Sequence, residues 1–103
     1  MKQERRLNKR APLMLEVRCA SLGQYSLHTY DVSLGGCCVE ALGELTIGQL
    51  VPLEIRLPDE GWIAVHAQVV HEIPYIGLGV RFLGLTATHR AQLARLIDQK
   101  SHD

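Results

Sequence analysis

The chain has 103 residues, of which 47% are hydrophobic, 21% charged and 5% aromatic, with 11 basic and 11 acidic side chains. This composition predicts one domain that folds without metal or disulfide support, and it argues against a surface that stacks many nucleic-acid bases. The sequence lacks both an apolar run of the roughly 20 residues that cross a membrane and a secretory signal, so we expect a cytoplasmic protein with no membrane span.

The first ten residues form a basic segment. They carry five basic side chains and one acidic one, a net charge of +4, while the rest of the chain sums to −4. A cationic arm on an acidic body suits a local anion site better than broad coverage of a polyanion. Leu7 is its one apolar side chain beyond Met1, so little apolar contact offsets the entropy of ordering it. We therefore predict a flexible arm over residues 1–12 and a folded domain over residues 13–103.

Alternation of apolar and polar residues predicts six short strands. They cover residues 13–19, 25–32, 37–42, 51–57, 63–73 and 76–83. Short strands with hairpin-sized connections imply an antiparallel barrel or sandwich. Apolar residues then recur at helical spacing from Thr86 or Thr88, either of which suits an N-cap, to about Gln99. This amphipathic helix is expected on the barrel wall or over its open end.

The three cysteines, Cys19, Cys37 and Cys38, show no zinc-ligand spacing. Neighbouring residues of a strand point to opposite faces, so Cys37 and Cys38 are not expected to share a metal or form a disulfide. We predict reduced, structural thiols and no metal site. No base lies beside Ser33 in the sequence, so no catalytic residue is predicted.

The basic segment contains Arg6 and Arg10, four residues apart, with Arg5 beside Arg6. A guanidinium is a planar fork that binds phosphate oxygens or the O6/N7 edge of guanine through two hydrogen bonds. These arginines therefore point to a phosphate or guanine ligand. The competing interpretation is a basic terminus that is merely solvated.

A second polar group, Asp31-Val32-Ser33-Leu34-Gly35-Gly36, ends the predicted second strand. Asp31 and Ser33 are two apart, which in a strand places a carboxylate and a hydroxyl on one face. The carboxylate can accept from guanine N1 and N2, and the hydroxyl can donate or accept. Gly35 and Gly36 allow close backbone approach or dihedrals that other residues avoid. The competing interpretation is a strand end closed by an Asx or ST turn and a glycine bulge.

Arg-x-x-x-Arg followed by Asp-x-Ser-x-x-Gly, in this order and near this separation, resembles the PilZ domain family. The resemblance continues through residues 77–82 and the terminal helix. It implies an all-β fold, a six-stranded antiparallel β-barrel with one C-terminal α-helix. It also implies a bacterial receptor for the second messenger cyclic di-GMP.

The resemblance also implies roles for individual residues. Arg6 and Arg10 would bind phosphates and guanine edges from the arm. Asp31 and Ser33 would recognise guanine from the barrel, and Gly36 would leave room for it. The expected ligand-binding set is completed by two neighbours outside the strict motif, Arg5 and Gly35.

We thus expect a non-enzymatic receptor with cyclic di-GMP as ligand and no cofactor. Ordering of the arm would present a new surface to an unidentified downstream protein. Two alternatives stay open. One is a small barrel that binds RNA or single-stranded DNA through its basic arm, which the net neutrality and few aromatics disfavour. The other is a protein interaction module that no longer binds nucleotide.

Overall fold

The strands close into a barrel. The computed structural model describes residues 9–19, 26–40 and 45–101. These ranges contain β1 (Glu16–Arg18), β2 (Ser26–Val32), β3 (Gly36–Glu40), β4 (Leu50–Leu57), β5 (Gly61–Ile73), β6 (Gly77–Leu83) and α1 (Ala87–Ser101). All strand pairs are antiparallel, in the closed order β1-β2-β3-β6-β5-β4. The predicted β-barrel with one C-terminal helix is confirmed.

The strands β4, β5 and β6 begin within two residues of their predicted starts, and β1 and β3 differ in other ways. β1 is shorter than predicted because the hydroxyl of the buried Thr29 takes the place of strand pairing. It donates to the Leu13 carbonyl at 2.6 Å and accepts from the Leu15 amide at 2.9 Å. β3 begins one residue earlier than predicted, at Gly36, and ends at Glu40. Residues 41 and 42 of the predicted strand lie outside the described residues.

The core is built from alternate strand residues, as the sequence pattern predicts. In β4 every second residue is buried, from Val51 to Leu57, and the residues between them are exposed. Leu15, Val17 and Cys19 are buried in the same way along the first segment. Each fully buried aliphatic side chain of this kind contributes about 1.5–3 kcal/mol of transfer free energy, which makes the barrel interior the main stabilising feature.

The helix α1 lies at the end of the barrel that contains the β4–β5 and β2–β3 turns. Its residues Leu93 and Ile97 are buried and belong to the core. Glu60, in the β4–β5 turn, accepts hydrogen bonds from Gln92 at 2.7 Å and from Arg95 at 2.8 Å. These contacts hold the helix over this end, one of the two positions expected from its sequence. No helix of the described ranges is long and apolar enough to cross a membrane.

The last residues of the predicted arm lie against β2. Ala11 is buried, and its amide and carbonyl exchange two hydrogen bonds of 2.9 Å with Val32. The Lys9 ammonium nitrogen lies 3.8 Å from a carboxylate oxygen of Asp98 in α1. Residues 1–8 lie outside the described residues, so the flexible arm and its boundary at residue 12 stay predictions.

Thr86 is the N-cap residue that immediately precedes α1. Its hydroxyl accepts from the His89 amide at 3.0 Å, and its carbonyl accepts from the Arg90 amide at 2.8 Å. We expect Thr86→Val to lower the free energy of unfolding by about 1 kcal/mol, because it removes an N-cap acceptor. Urea denaturation measures the change. Thr88→Val is the matched control, since Thr88 lies inside the helix. Equal losses in the two variants would contradict the assignment of the cap.

Candidate functional site

The end of β2 and the β2–β3 turn bring together five of the seven predicted ligand-binding residues. These are Arg10, Asp31, Ser33, Gly35 and Gly36. Arg5 and Arg6 lie outside the described residues. The structure thus describes the barrel residues of the predicted site and Arg10 of the arm, while the roles of Arg5 and Arg6 stay predictions.

Arg10 and Asp31 form an ion pair across 21 positions of sequence. In the antiparallel Ala11–Val32 bridge, Arg10 and Asp31 are diagonal neighbours on the face opposite to the buried Ala11 and Val32, and the long arginine side chain reaches the carboxylate. The side chains remain partly exposed, at 48% for Arg10 and 35% for Asp31. Exposed pairs of this kind stabilise a protein by only about 0–1 kcal/mol. The two charged groups are therefore close together and still open to a ligand.

Ser33 is buried, with 1% of its surface exposed. Its hydroxyl accepts from the amides of Gly35 at 3.1 Å and Gly36 at 3.2 Å, and it donates to the Gly36 carbonyl at 3.3 Å. The expected projection beside Asp31 is wrong in the described structure. Strand alternation stops at Val32, and Ser33 begins the turn instead. The local geometry is that of an ST turn, and a direct contact of Ser33 with guanine stays a prediction.

The two glycines of the turn pack against β6. The carbonyl of Gly35 accepts from the Phe82 amide at 2.8 Å. A Cβ on Gly36 would lie 2.1 Å from the Val80 carbonyl oxygen and 2.9 Å from the Arg81 Cα. The space at Gly36 is therefore required by the neighbouring strand, independently of any ligand.

Cys38 lies beside the site. The sequence alone predicts only a structural thiol at this position. Cys38 pairs with Asp31 across β2 and β3, whereas Cys37 pairs with Val32 and is fully buried. The two thiols thus lie on opposite faces, as predicted, and neither forms a disulfide. The position of Cys38 depends on the cross-strand register, for which the sequence contains no direct signal.

The environment keeps both thiols protonated. Burial raises the pKa of Cys37, and the charges of Cys38 and Asp31 raise it further. Burial also raises the pKa of Cys38, as do the charge of Asp31 and a hydrogen bond to it, while Arg10 acts in the opposite direction. A protonated thiol is a weak nucleophile and a poor metal ligand. In the described ranges no three His, Cys, Asp or Glu side chains are grouped to bind a metal ion.

Other polar features lie away from this turn. The Arg18 guanidinium stacks 3.7 Å from the centre of the Trp62 ring and lies 3.0 Å from Glu54. A separate open cavity of about 710 Å³ is lined by residues that include Met14, Glu16 of β1, His28 of β2 and Arg56 of β4. Neither feature contains a residue of the predicted ligand set.

The sequence matches the family model described as the PilZ domain over residues 4–99. The fold is similar to the inhibitor of motility MotI/DgrA of Bacillus subtilis, with a TM-score of 0.80 and 22% identity over 95% of this chain and 51% of that one. It is also similar to two structures of Escherichia coli YcgR. One is its PilZ domain with c-di-GMP, with a TM-score of 0.70 and 21% identity over 95% of this chain and 92% of that one. The other is YcgR in complex with c-di-GMP, with a TM-score of 0.73 and 28% identity over 95% of this chain and 46% of that one.

This chain therefore spans about half the length of MotI/DgrA and of the longer YcgR chain. No curated protein sequence matches it.

The hydroxyl of Ser33 holds the turn, so its removal should affect stability directly. We expect Ser33→Ala to lower the free energy of unfolding by about 1–3 kcal/mol, because the amides of Gly35 and Gly36 lose their acceptor. Thr46→Ala is the control, since the exposed Thr46 hydroxyl makes only a 3.4 Å contact with Gln49. Thermal denaturation of both variants tests this, and a Ser33→Ala protein as stable as the wild type would contradict the structural role.

Proposed function

The chain belongs to the PilZ domain family, and from this premise we propose that it is a receptor for cyclic di-GMP. The observation that carries the proposal is the contact between Arg10 and Asp31. These residues come from the two separate motifs of the sequence, and they meet at one partly exposed place on the barrel. The YcgR structures that contain c-di-GMP support the same ligand class.

The chemistry of the two side chains is complementary to the ligand. Cyclic di-GMP contains two phosphates and two guanines. An arginine binds phosphate oxygens or the guanine O6/N7 edge through paired hydrogen bonds. A carboxylate has about four lone-pair sites, enough to accept from guanine N1 and N2 in addition to its protein contacts. Arg10 and Asp31 thus provide one group for each part of the nucleotide, and Arg5 and Arg6 are proposed to add further phosphate contacts from the arm.

Binding requires that the ligand replace or share the Arg10–Asp31 contact. A partly exposed ion pair contributes only about 0–1 kcal/mol, so its exchange costs little. A charge-assisted hydrogen bond to the nucleotide contributes about 1.5–3 kcal/mol. The balance therefore favours the ligand. The acidic remainder of the chain, with a net charge of −4, restricts anion binding to the neighbourhood of the arginines.

We further propose that the protein has no catalytic activity of its own. Because Cys37 and Cys38 are held protonated, the turn offers no activated thiol nucleophile. A role that consists of binding alone makes signal output dependent on a partner. A cytoplasmic location and the identity of that partner stay predictions.

Loss of either motif arginine should weaken nucleotide binding without unfolding the protein. We expect Arg10→Ala and Arg6→Ala each to lower the affinity for cyclic di-GMP at least about tenfold, since each removes charge-assisted hydrogen bonds. Titration calorimetry measures the affinity. Arg56→Ala is the matched control, because Arg56 is also an exposed arginine in an ion pair, 3.5 Å from Glu16. Wild-type affinity in both motif variants would refute the assignment of the site.

Two further measurements separate this function from its alternatives. Cyclic di-AMP lacks the paired N1 and N2 donors of guanine, so it should bind at least about tenfold more weakly if Asp31 reads the base. A polyanion contact would instead show affinity for RNA or single-stranded DNA that falls steeply with salt. The absence of binding to any of these ligands would favour an interaction module without a nucleotide.

We infer that the arm transmits the signal. Arg10 is the residue next to Ala11, which is fixed on Val32, and Lys9 lies 3.8 Å from Asp98 of α1. A ligand that binds Arg10 therefore acts on a segment in contact with both β2 and the helix. A downstream protein that recognises the rearranged segment would sense the ligand.

Hydrogen exchange tests this route of transmission. We expect amide exchange in residues 1–10 to slow at least about tenfold when cyclic di-GMP is added, because the phosphates offset the repulsion among the basic side chains. Exchange in the barrel strands should change little. Arm amides that are as protected before ligand addition as afterwards would refute the mechanism even if binding is observed.

A further inference from the structure

Two β-bulges align polar side chains on the outer face of the barrel. In β2 the register with β3 shifts between Thr29 and Asp31, and in β5 the register with β6 shifts between Val69 and His71. Asp31 and His71 are therefore each the first paired residue after a bulge. Bulges of this kind turn a side chain to a new direction and are frequent beside functional sites.

The residues in register with Asp31 and His71 form one row across four strands. Asp31 pairs with Cys38, Cys38 pairs with Gly79, and Gly79 pairs with His71. Neighbouring strands lie about 4.8 Å apart, so the row extends about 14 Å from Asp31 to His71. Cys38 provides the only side chain between these two ends.

The imidazole of His71 occupies the space above Gly79. Three of its ring atoms, Cε1, Nε2 and Nδ1, lie 2.3, 2.5 and 2.8 Å from the position of a Cβ on that glycine. The ring covers Gly79, which is buried, while His71 itself is exposed. An aromatic ring is thus supported from below by backbone and open to solvent above.

We propose that His71 is the stacking platform for the second guanine of cyclic di-GMP. This inference rests on the proposed function, in which Asp31 recognises one guanine and leaves the other without a contact on the barrel. Histidine is among the side chains on which nucleic-acid bases stack. The row from Asp31 to His71 crosses β3 and β6 and contributes only the small Cys38 side chain between its two ends. His71 acts in binding and specificity, and it completes a site whose other end is Asp31.

Tyr30 is the competing aromatic residue. It is the extra residue of the β2 bulge and is 44% exposed. Its place next to Asp31 on the same strand puts it beside the first guanine, whereas His71 lies three strands away. Tyr30→Ala therefore tests whether the second base uses a different ring.

The experiment compares the affinity of wild-type protein and five variants for cyclic di-GMP by titration calorimetry. Stacking predicts that His71→Ala and His71→Gln weaken binding about tenfold, since the ring is lost. His71→Phe should stay within about twofold of the wild type because it keeps a ring. His66→Ala is the matched control, an exposed histidine of the same strand that pairs with Pro52 and Leu83. Thermal denaturation of each variant verifies that it is folded.

A spectroscopic measurement tests the contact directly. In stacking, the ring protons of His71 shift upfield on ligand addition in proton–carbon correlation spectra, and those of His66 do not. A change in affinity without this shift would overturn the stacking platform, as would retention of affinity in His71→Gln and loss in His71→Phe. Weakening by Tyr30→Ala alone would place the second base elsewhere and overturn it.

The two proposals fail in different ways. A wild-type protein that does not bind cyclic di-GMP refutes the receptor function, and the role of His71 with it. Binding that is weakened by Arg10→Ala and unaffected by every His71 variant refutes the His71 inference alone.

Discussion

Closure of the barrel depends on the segment that precedes and includes β1. β1 has three residues and pairs with both β2 and β4, so it joins the two edges of the sheet. Where its ladder is interrupted, the buried hydroxyl of Thr29 binds the backbone of Leu13 and Leu15. A buried amide or carbonyl without a partner costs about 1–3 kcal/mol. The Thr29 hydroxyl avoids this cost, because it hydrogen-bonds the backbone groups that lack a strand partner. The segment before β1 continues to run along β2 as far as the Ala11–Val32 bridge.

The position of the candidate site follows from this closure. Once Ala11 is paired with Val32, Arg10 and Asp31 lie diagonally across the two segments on the same outward face, and the long Arg10 side chain spans the distance to the carboxylate. The interaction between the two charged groups is weak, as expected for side chains that are about half and one third exposed. The barrel therefore positions Arg10 and Asp31 through backbone pairing and leaves their charges available to an anionic ligand.

The motif residues divide into those that shape the β2–β3 turn and those that can contact a ligand. Ser33 and Gly36 both belong to the motif, and in the described structure both serve the packing of the β2–β3 turn. The Ser33 hydroxyl binds the turn backbone, and Gly36 leaves room for the Val80 carbonyl. The charged residues Arg10 and Asp31 face outwards. A motif of this kind combines residues that shape the loop with residues that contact solvent, and only the latter are placed to meet a ligand without rearrangement.

Much of the fold could be predicted from the sequence because alternation and capping are local. The strict pattern of β4 and the cap at Thr86 are determined by residues within one strand or one helical turn. The grouping of Arg10 with Asp31 came from the motifs and their resemblance to a family. The inward turn of Ser33, the contact of Cys38 with Asp31 and the row that ends at His71 could not be predicted. They depend on where strand alternation stops and on the register set by two bulges, and one extra residue in a strand changes every partner beyond it. The sequence by itself determined which residues form strands and core; only the closed barrel, through its register, decided which side chains meet on its surface.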